Sequence, residues 1–178
     1  LEPVKISLIR ELGMGDRVCV DTCTSMEKGE GMLVGNAGSA FFLVHAESVH
    51  NPYVAPRPFR VNAGGVHAYT LLPGGRTCYL AELEIGAEVL PVDFRGQTRP
   101  AIVGRVKIEK RPMLLVKASG AEKEVSLILQ NAETIRLVRP GGEAVSVVEL
   151  REGDEVLAYF ETGGRHFGTK IEESIVER

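Results

Sequence analysis

One short pattern occurs three times in this sequence and limits what the chain can fold into. Glu11-Leu-Gly-Met-Gly15-Asp-Arg-Val18 is matched by Glu82-Leu-Glu-Ile-Gly86-Ala-Glu-Val89 and by Glu149-Leu-Arg-Glu-Gly153-Asp-Glu-Val156. Each copy reads as a leucine anchor, a tight turn closed by glycine, and then a strand. Glycine suits the closing position because such turns need a positive φ there.

The segments between the copies alternate with period two. Val18 and Val20 share one face, with Arg17, Cys19 and Asp21 on the other. Val106 and Ile108 oppose Arg105, Lys107 and Glu109 in the same way. Period two marks half-buried strands. Turn signals separate the runs at Pro73-Gly74-Gly75, Arg95-Gly96, Pro140-Gly141-Gly142 and Gly163-Gly164. The expected fold is all-β: short antiparallel strands in two or three packed SH3-like or barrel-like modules with internal repeats. The module boundaries fall at 1–78, 79–145 and 146–178. Only Leu127 to Ile135 also fits a helix, and it fits a strand followed by a turn equally well.

Composition narrows the function classes. The chain has 178 residues, 44% apolar and 25% charged, with a net charge of −3. It carries no basic stripe, so no nucleic-acid partner is expected. The apolar runs Met113 to Val116 and Val125 to Leu129 are too short to span a membrane. Cys19, Cys23 and Cys78 form no disulfide framework, which fits a reduced, cytoplasmic protein. The opening Leu-Glu-Pro-Val-Lys lacks Met, so the chain is expected to begin inside something larger.

The densest chemistry lies between Gly29 and Tyr69. Gly29-x-Gly31 and Gly35-x-x-Gly38 lack the third glycine and the strand-to-helix setting of a dinucleotide loop, and are expected to form hairpins. His45 and Glu47 share a strand face, and His67 follows a glycine pair. With two imidazoles and a carboxylate, this set suits a divalent metal, general acid–base work, or purely structural roles. Arg57 and Arg60 flank Pro58-Phe59 and suit a carboxylate clamp or a solvated loop. Asn62 can orient a carbonyl or cap a turn. Gln130, Asn131 and Glu133 place polar groups after a buried run. Arg165-His166 follows a glycine pair, and Lys107, Lys110 and Arg111 read as a solvated strand face.

Longer strings carry a family likeness. Gly15-Asp-Arg-Val-Cys-Val-Asp-Thr22, Gly29-Glu-Gly-Met-Leu-Val-Gly35, Arg57-Pro-Phe-Arg-Val-Asn-Ala-Gly64 and Val66-His-Ala-Tyr69 resemble 3-dehydroquinate synthase II. So do Gly104-Arg-Val-Lys-Ile-Glu-Lys-Arg-Pro112, Ile128-Leu-Gln-Asn-Ala-Glu-Thr-Ile-Arg-Leu-Val138 and Arg165-His-Phe-Gly168. The likeness implies an NAD-dependent oxidoreductase of aromatic amino acid biosynthesis, the shikimate pathway. Its substrate is an amino sugar acid, 2-amino-3,7-dideoxy-D-threo-hept-6-ulosonate, which is oxidised, deaminated and cyclised to 3-dehydroquinate. It also implies an α/β half preceding this β half, so that the present chain alone is expected to be inactive. A homo-oligomer is left open.

The implied roles follow from that chemistry. Arg57 or Arg60 would hold the substrate carboxylate, with Asn131 and Glu133 as further substrate contacts. His45 or His67 would act as base, and Glu47 would join the acid–base set. Asn62 and His67 would donate to the enolate, or His45, Glu47 and His67 would hold a divalent metal. No residue is assigned to NAD. Two alternatives stand beside this reading: a metal-dependent cyclisation to an aminohydroxybenzoate, as in some relatives, and a non-catalytic β scaffold. Gly65, where proline is common, and the Asn36-Ala-Gly-Ser-Ala loop depart from the family pattern.

Overall fold

The alternating segments become strands throughout. The structure, a computed structural model, describes residues 1–161, 164–166, 169–171 and 176–178, with backbone only for 164–166 and 169–171. The first strands are β1 (Glu2–Thr22), β2 (Glu30–Ala37), β3 (Ala40–His45), β4 (Arg60–Gly65) and β5 (Tyr69–Leu71). Then come β6 (Thr77–Tyr79), β7 (Glu88–Val89), β8 (Val92–Asp93), β9 (Ala101–Ser119) and β10 (Glu124–Gln130). The last are β11 (Arg136–Val138), β12 (Ala144–Ser146), β13 (Glu155–Phe160), β14 (Gly164–His166) and β15 (Thr169–Ile171). Leu127 to Ile135 resolves as the end of β10 followed by a turn.

All thirteen strands from β1 to β13 join one sheet, and every pairing is antiparallel, while β14 and β15 pair with each other. The all-β expectation holds. The stretches 1–78, 79–145 and 146–178 are hydrogen-bonded to one another through β1, which pairs with β4, β9 and β13.

The spine is the β1–β9 ribbon, paired from Lys5 opposite Ser119 to Thr22 opposite Val103. Its register slips at Ile6/Leu8, Glu11/Met14 and Asp21/Thr22. Such bulges bend a ribbon too long to stay flat, and curl the sheet around its core. β2 and β3 are buried on both faces, which explains their unbroken apolar runs. Met32, Val34, Phe42 and Val44 face the main core, and Leu33, Phe41 and Leu43 face a second cluster with Val138 and Leu157. Each such large side chain stabilises the fold by about 1.5–3 kcal/mol.

Two of the three repeats are the expected turns. Ala87 N–H donates to Glu84 O and Gly86 N–H to Val103 O, with Gly86 at φ 91°. Asp154 N–H donates to Arg151 O and Gly153 N–H to Ile6 O, with Gly153 at φ 90°. The first copy differs. Glu11 to Gly15 stays within β1 at the second register slip, because the β9 ribbon continues past it and a bulge absorbs the extra residue. The valine that follows, Val18, Val89 or Val156, is fully buried in all three copies.

Candidate active site

The two registers of β1 build three rungs across β4, β1 and β9. Gly65, Arg17 and Glu109 form the first; Asn62, Cys19 and Lys107 the second; Arg60, Asp21 and Arg105 the third. Directly paired residues point to the same face. A bulge between Val18 and Cys19 brings Asn62 into line with Cys19. One face of this three-strand unit is therefore polar, while Val18, Val20 and Val61 on the other enter the core.

The first rung starts a relay of fixed amides. Arg17, 5% exposed, donates from Nη1 to Gln130 Oε1 at 2.6 Å and from Nη2 to Glu109 Oε1 at 2.8 Å. A guanidinium only donates, so Gln130 must present its oxygen. That same oxygen accepts from Asn62 Nδ2 at 2.9 Å, which fixes the Asn62 amide in turn. Arg17 Nε and Asn62 Oδ1 are buried and meet no partner atom. Asn62 thus gives one N–H of its amide to Gln130 and leaves Oδ1 as an unpartnered acceptor.

The third rung is a charge cluster. Asp21, 2% exposed, accepts from Arg60 Nε at 2.7 Å and Nη2 at 3.0 Å, and from Arg105 Nε at 2.8 Å. Burial alone would raise the Asp21 pKa, but the hydrogen bonds from Arg60 and Arg105 outweigh it and hold it below the ordinary value. Glu47 extends this cluster. Its backbone N–H donates to Arg60 O, and it accepts from Arg57 N–H. Its carboxylate has Arg57 Nη1 at 4.0 Å. Burial raises the Glu47 pKa, against the pull of Arg60, Arg57 and Arg17. Cys19, enclosed between the rungs, is pushed up to about 11 by burial and is an inert thiol.

His67 lies beyond the first rung, at the mouth of a cleft of about 220 Å³ that includes Met14, Gly15, Gly65, Met113 and Ile128. Its Nε2 sits 2.8 Å from Asn36 Oδ1, and Asn36 Nδ2 donates to Ser126 Oγ at 3.2 Å. An amide oxygen accepts, so the ring proton is on Nε2 and Nδ1 is left basic. The ring is solvent-exposed on one side, and the wall on the other desolvates it enough to lower its pKa. Gly65 makes room for it: a Cβ there would stand 2.9 Å from His67 Nδ1.

His45 does not belong to the site. It is 2% exposed, its Nε2 accepts from Gly29 N–H at 2.9 Å, and its Nδ1 donates to Ala46 O at 2.6 Å. Burial lowers its pKa, and both ring nitrogens are spent on the backbone. Among the described residues no three of His, Cys, Asp and Glu gather to hold a metal. The expected metal set of His45, Glu47 and His67 therefore does not fit one. Asn131 donates its backbone N–H to Pro112 O at the end of β10, and Glu133 is exposed in the following turn. The side chains of Arg165 and His166 lie outside the described residues.

The glycine-rich stretch from Gly29 to Gly38 forms the β2–β3 hairpin, not a strand-to-helix phosphate cradle. A Cβ at Gly31 or Gly35 would collide with the carbonyl of Val44 or Ala40, so these glycines serve strand packing. The described residues thus offer no Rossmann-type fit for NAD.

Arg57, Arg60 and Glu47 do come together, and Asn62 and His67 lie along the same polar side. Arg17, Asp21, Glu109 and Asn36 are residues that sequence reasoning missed. The charged faces of the Arg17-Cys19-Asp21 and Arg105-Lys107-Glu109 alternations were the signal for the first three, and Asn36 had none of that kind.

These features define an all-β domain with one arginine- and carboxylate-walled face beside an imidazole cleft. The family model for the 3-dehydroquinate synthase II C-terminal domain matches residues 3–178. The chain is 61% identical over its whole length to a "3-dehydroquinate synthase" of Methanoculleus marisnigri, covering 54% of that protein. It is 59% identical to one from Methanopyrus kandleri, covering 45%, and 57% identical to a "3-dehydroquinate synthase homolog" of Aquifex aeolicus, covering 54%. No solved structure matches. The chain belongs to the 3-dehydroquinate synthase II family as its C-terminal domain, and spans about half the length of these curated relatives.

Proposed function

We propose that this chain supplies the substrate-handling face of a 3-dehydroquinate synthase of the second type. In this reading an amino sugar acid, 2-amino-3,7-dideoxy-D-threo-hept-6-ulosonate, is oxidised with NAD at the amine carbon, loses ammonia and cyclises to 3-dehydroquinate. NAD takes the hydride; no step assigned to this chain's residues runs through it or through a metal.

The observation that carries the reading is the convergence of Arg57, Arg60 and Glu47 at one end of the rungs, with an oriented His67 at the other. Arg60 is held by Asp21 and acts as a fixed positive charge. Arg57 has a looser partner and a half-exposed side chain, so it can turn to pair with the substrate carboxylate. His67, neutral and basic at Nδ1, removes the proton beside the ketone before ring closure. Asn36 keeps the ring in that tautomer. Glu47, held above the ordinary carboxylate range, can carry a proton between amine and solvent.

The test uses the full-length protein with amino-heptulosonate and NAD, following NADH absorbance and dehydroquinate. Formation of both supports the reading. Absence of both overturns it.

A further inference from the structure

The β1–β9 ribbon ends in an unfinished edge. β9 is flanked by β7 at Ala101 and Ile102 and by β10 from Met113 to Ser119. Between them, Gly104 to Arg111 runs beside β1 on one side, with Gly104 the extra residue at the register slip, and among the described residues nothing pairs with it on the other. Eight residues of strand offer roughly 26 Å of open edge.

Both faces of that edge are also incomplete. Ile108 stands opposite fully buried Val18 and points to the core side, yet it is 50% exposed. Val106, next along that face, is only partly buried. On the polar face, Lys107 and Arg105 are 44% and 60% exposed. Among the described residues Glu109 is the one carboxylate shared by Arg17, Lys107 and Arg111. A free edge normally ends in a bulge or short strand, or keeps its core side covered. This one leaves core-side isoleucine open and is short of negative charge.

We propose that the rest of the polypeptide docks on this edge: a strand of the portion outside the C-terminal domain pairs with Gly104–Arg111, covers Ile108 and Val106, and brings carboxylates to Lys107 and Arg105. The occupant is indicated by length. About half of each of these relatives lies outside the region this chain covers, and the matching model is that of a C-terminal domain. The docked strand would sit beside all three rungs, at Glu109, Lys107 and Arg105, so the polar site is completed from outside this chain. The proposal rests on the reading that the chain works as part of such a longer protein.

The test is hydrogen exchange, read by mass spectrometry on the full-length protein without substrate or NAD. Every amide from Gly104 to Arg111 is expected to exchange at least about 100-fold slower than an unstructured chain. I108E is expected to remove that protection, while I85E, on an exposed turn, leaves it intact. If the amides pointing away from β1 exchange like those of an open strand in the wild-type protein, the proposal fails. Protection that vanishes on dilution identifies a second copy as the occupant and also overturns it. Exchange needs no turnover: an inactive protein with a protected edge would sink only the proposed reaction, and an active one with an open edge only the docking.

Discussion

Arg17 Nη1 lies 2.6 Å from Gln130 Oε1, joining residues 113 positions apart, and that one contact sets the orientation of two amides. Gln130 is oriented by a group that can only donate, and Asn62 by Gln130. Removing the shared acceptor strands a buried guanidinium and a buried amide together. Q130L is expected to destabilise the full-length protein by about 3 kcal/mol in chemical denaturation. Q130E keeps the acceptor and should stay within about 1 kcal/mol of wild type. Equal losses in the two variants would refute the relay.

His67 is expected to act in its neutral form. Its pKa is lowered, so the acid limb of kcat/KM for the full-length enzyme should fall below the ordinary histidine value of about 6.5. H67A should cost roughly 10²–10⁴-fold in kcat and abolish that limb. N36L should retain the limb with a smaller loss. An unchanged rate in H67A removes the imidazole from the mechanism.

Asp21 makes stability depend on acid. Its folded pKa is depressed, so its contribution is complete above the unfolded value of about 3.9 and is lost as pH falls through the lower folded value. D21N should cost about 3 kcal/mol at neutral pH, because Arg60 and Arg105 lose their partner. The difference from wild type should shrink only below about pH 4, as measured by urea midpoints across pH.

Two adjacent glycines should fail in different ways. Gly64 has φ 122°, and a Cβ there would meet Ile128 O at 2.6 Å, so G64A should lower stability by about 2–4 kcal/mol. Gly65 is not in the left-handed region, and its Cβ would meet the His67 ring instead. G65A should fold normally and lose kcat as the imidazole is displaced. Thermal melts paired with kinetics separate the two.

Sequence alternation revealed the strands, and two of the three repeats revealed their turns, because hydrophobic period and glycine turns are local signals. The first repeat misled because a bulge and a turn demand similar residues. The polar face was half legible. Arg57 and Arg60 were chosen from one loop and Glu47 from the end of the preceding apolar run, whereas Arg17 and Gln130 are joined only by the register of strands far apart in sequence. His45 misled because no local pattern reveals that Gly29 and Ala46 occupy both its nitrogens.

The second and third glycine turns fasten onto the two spine strands, Gly86 to Val103 and Gly153 to Ile6. Their consequence is temporal. Within the domain β1 is made before every other strand of its sheet, yet its clip at Gly153 and its partner β13 come after β12, with Val4 waiting for Val156. The sheet's founding strand therefore stays incompletely paired until β13 has been made. Contacts this distant slow folding, so closure of the sheet should come late in the folding of the domain.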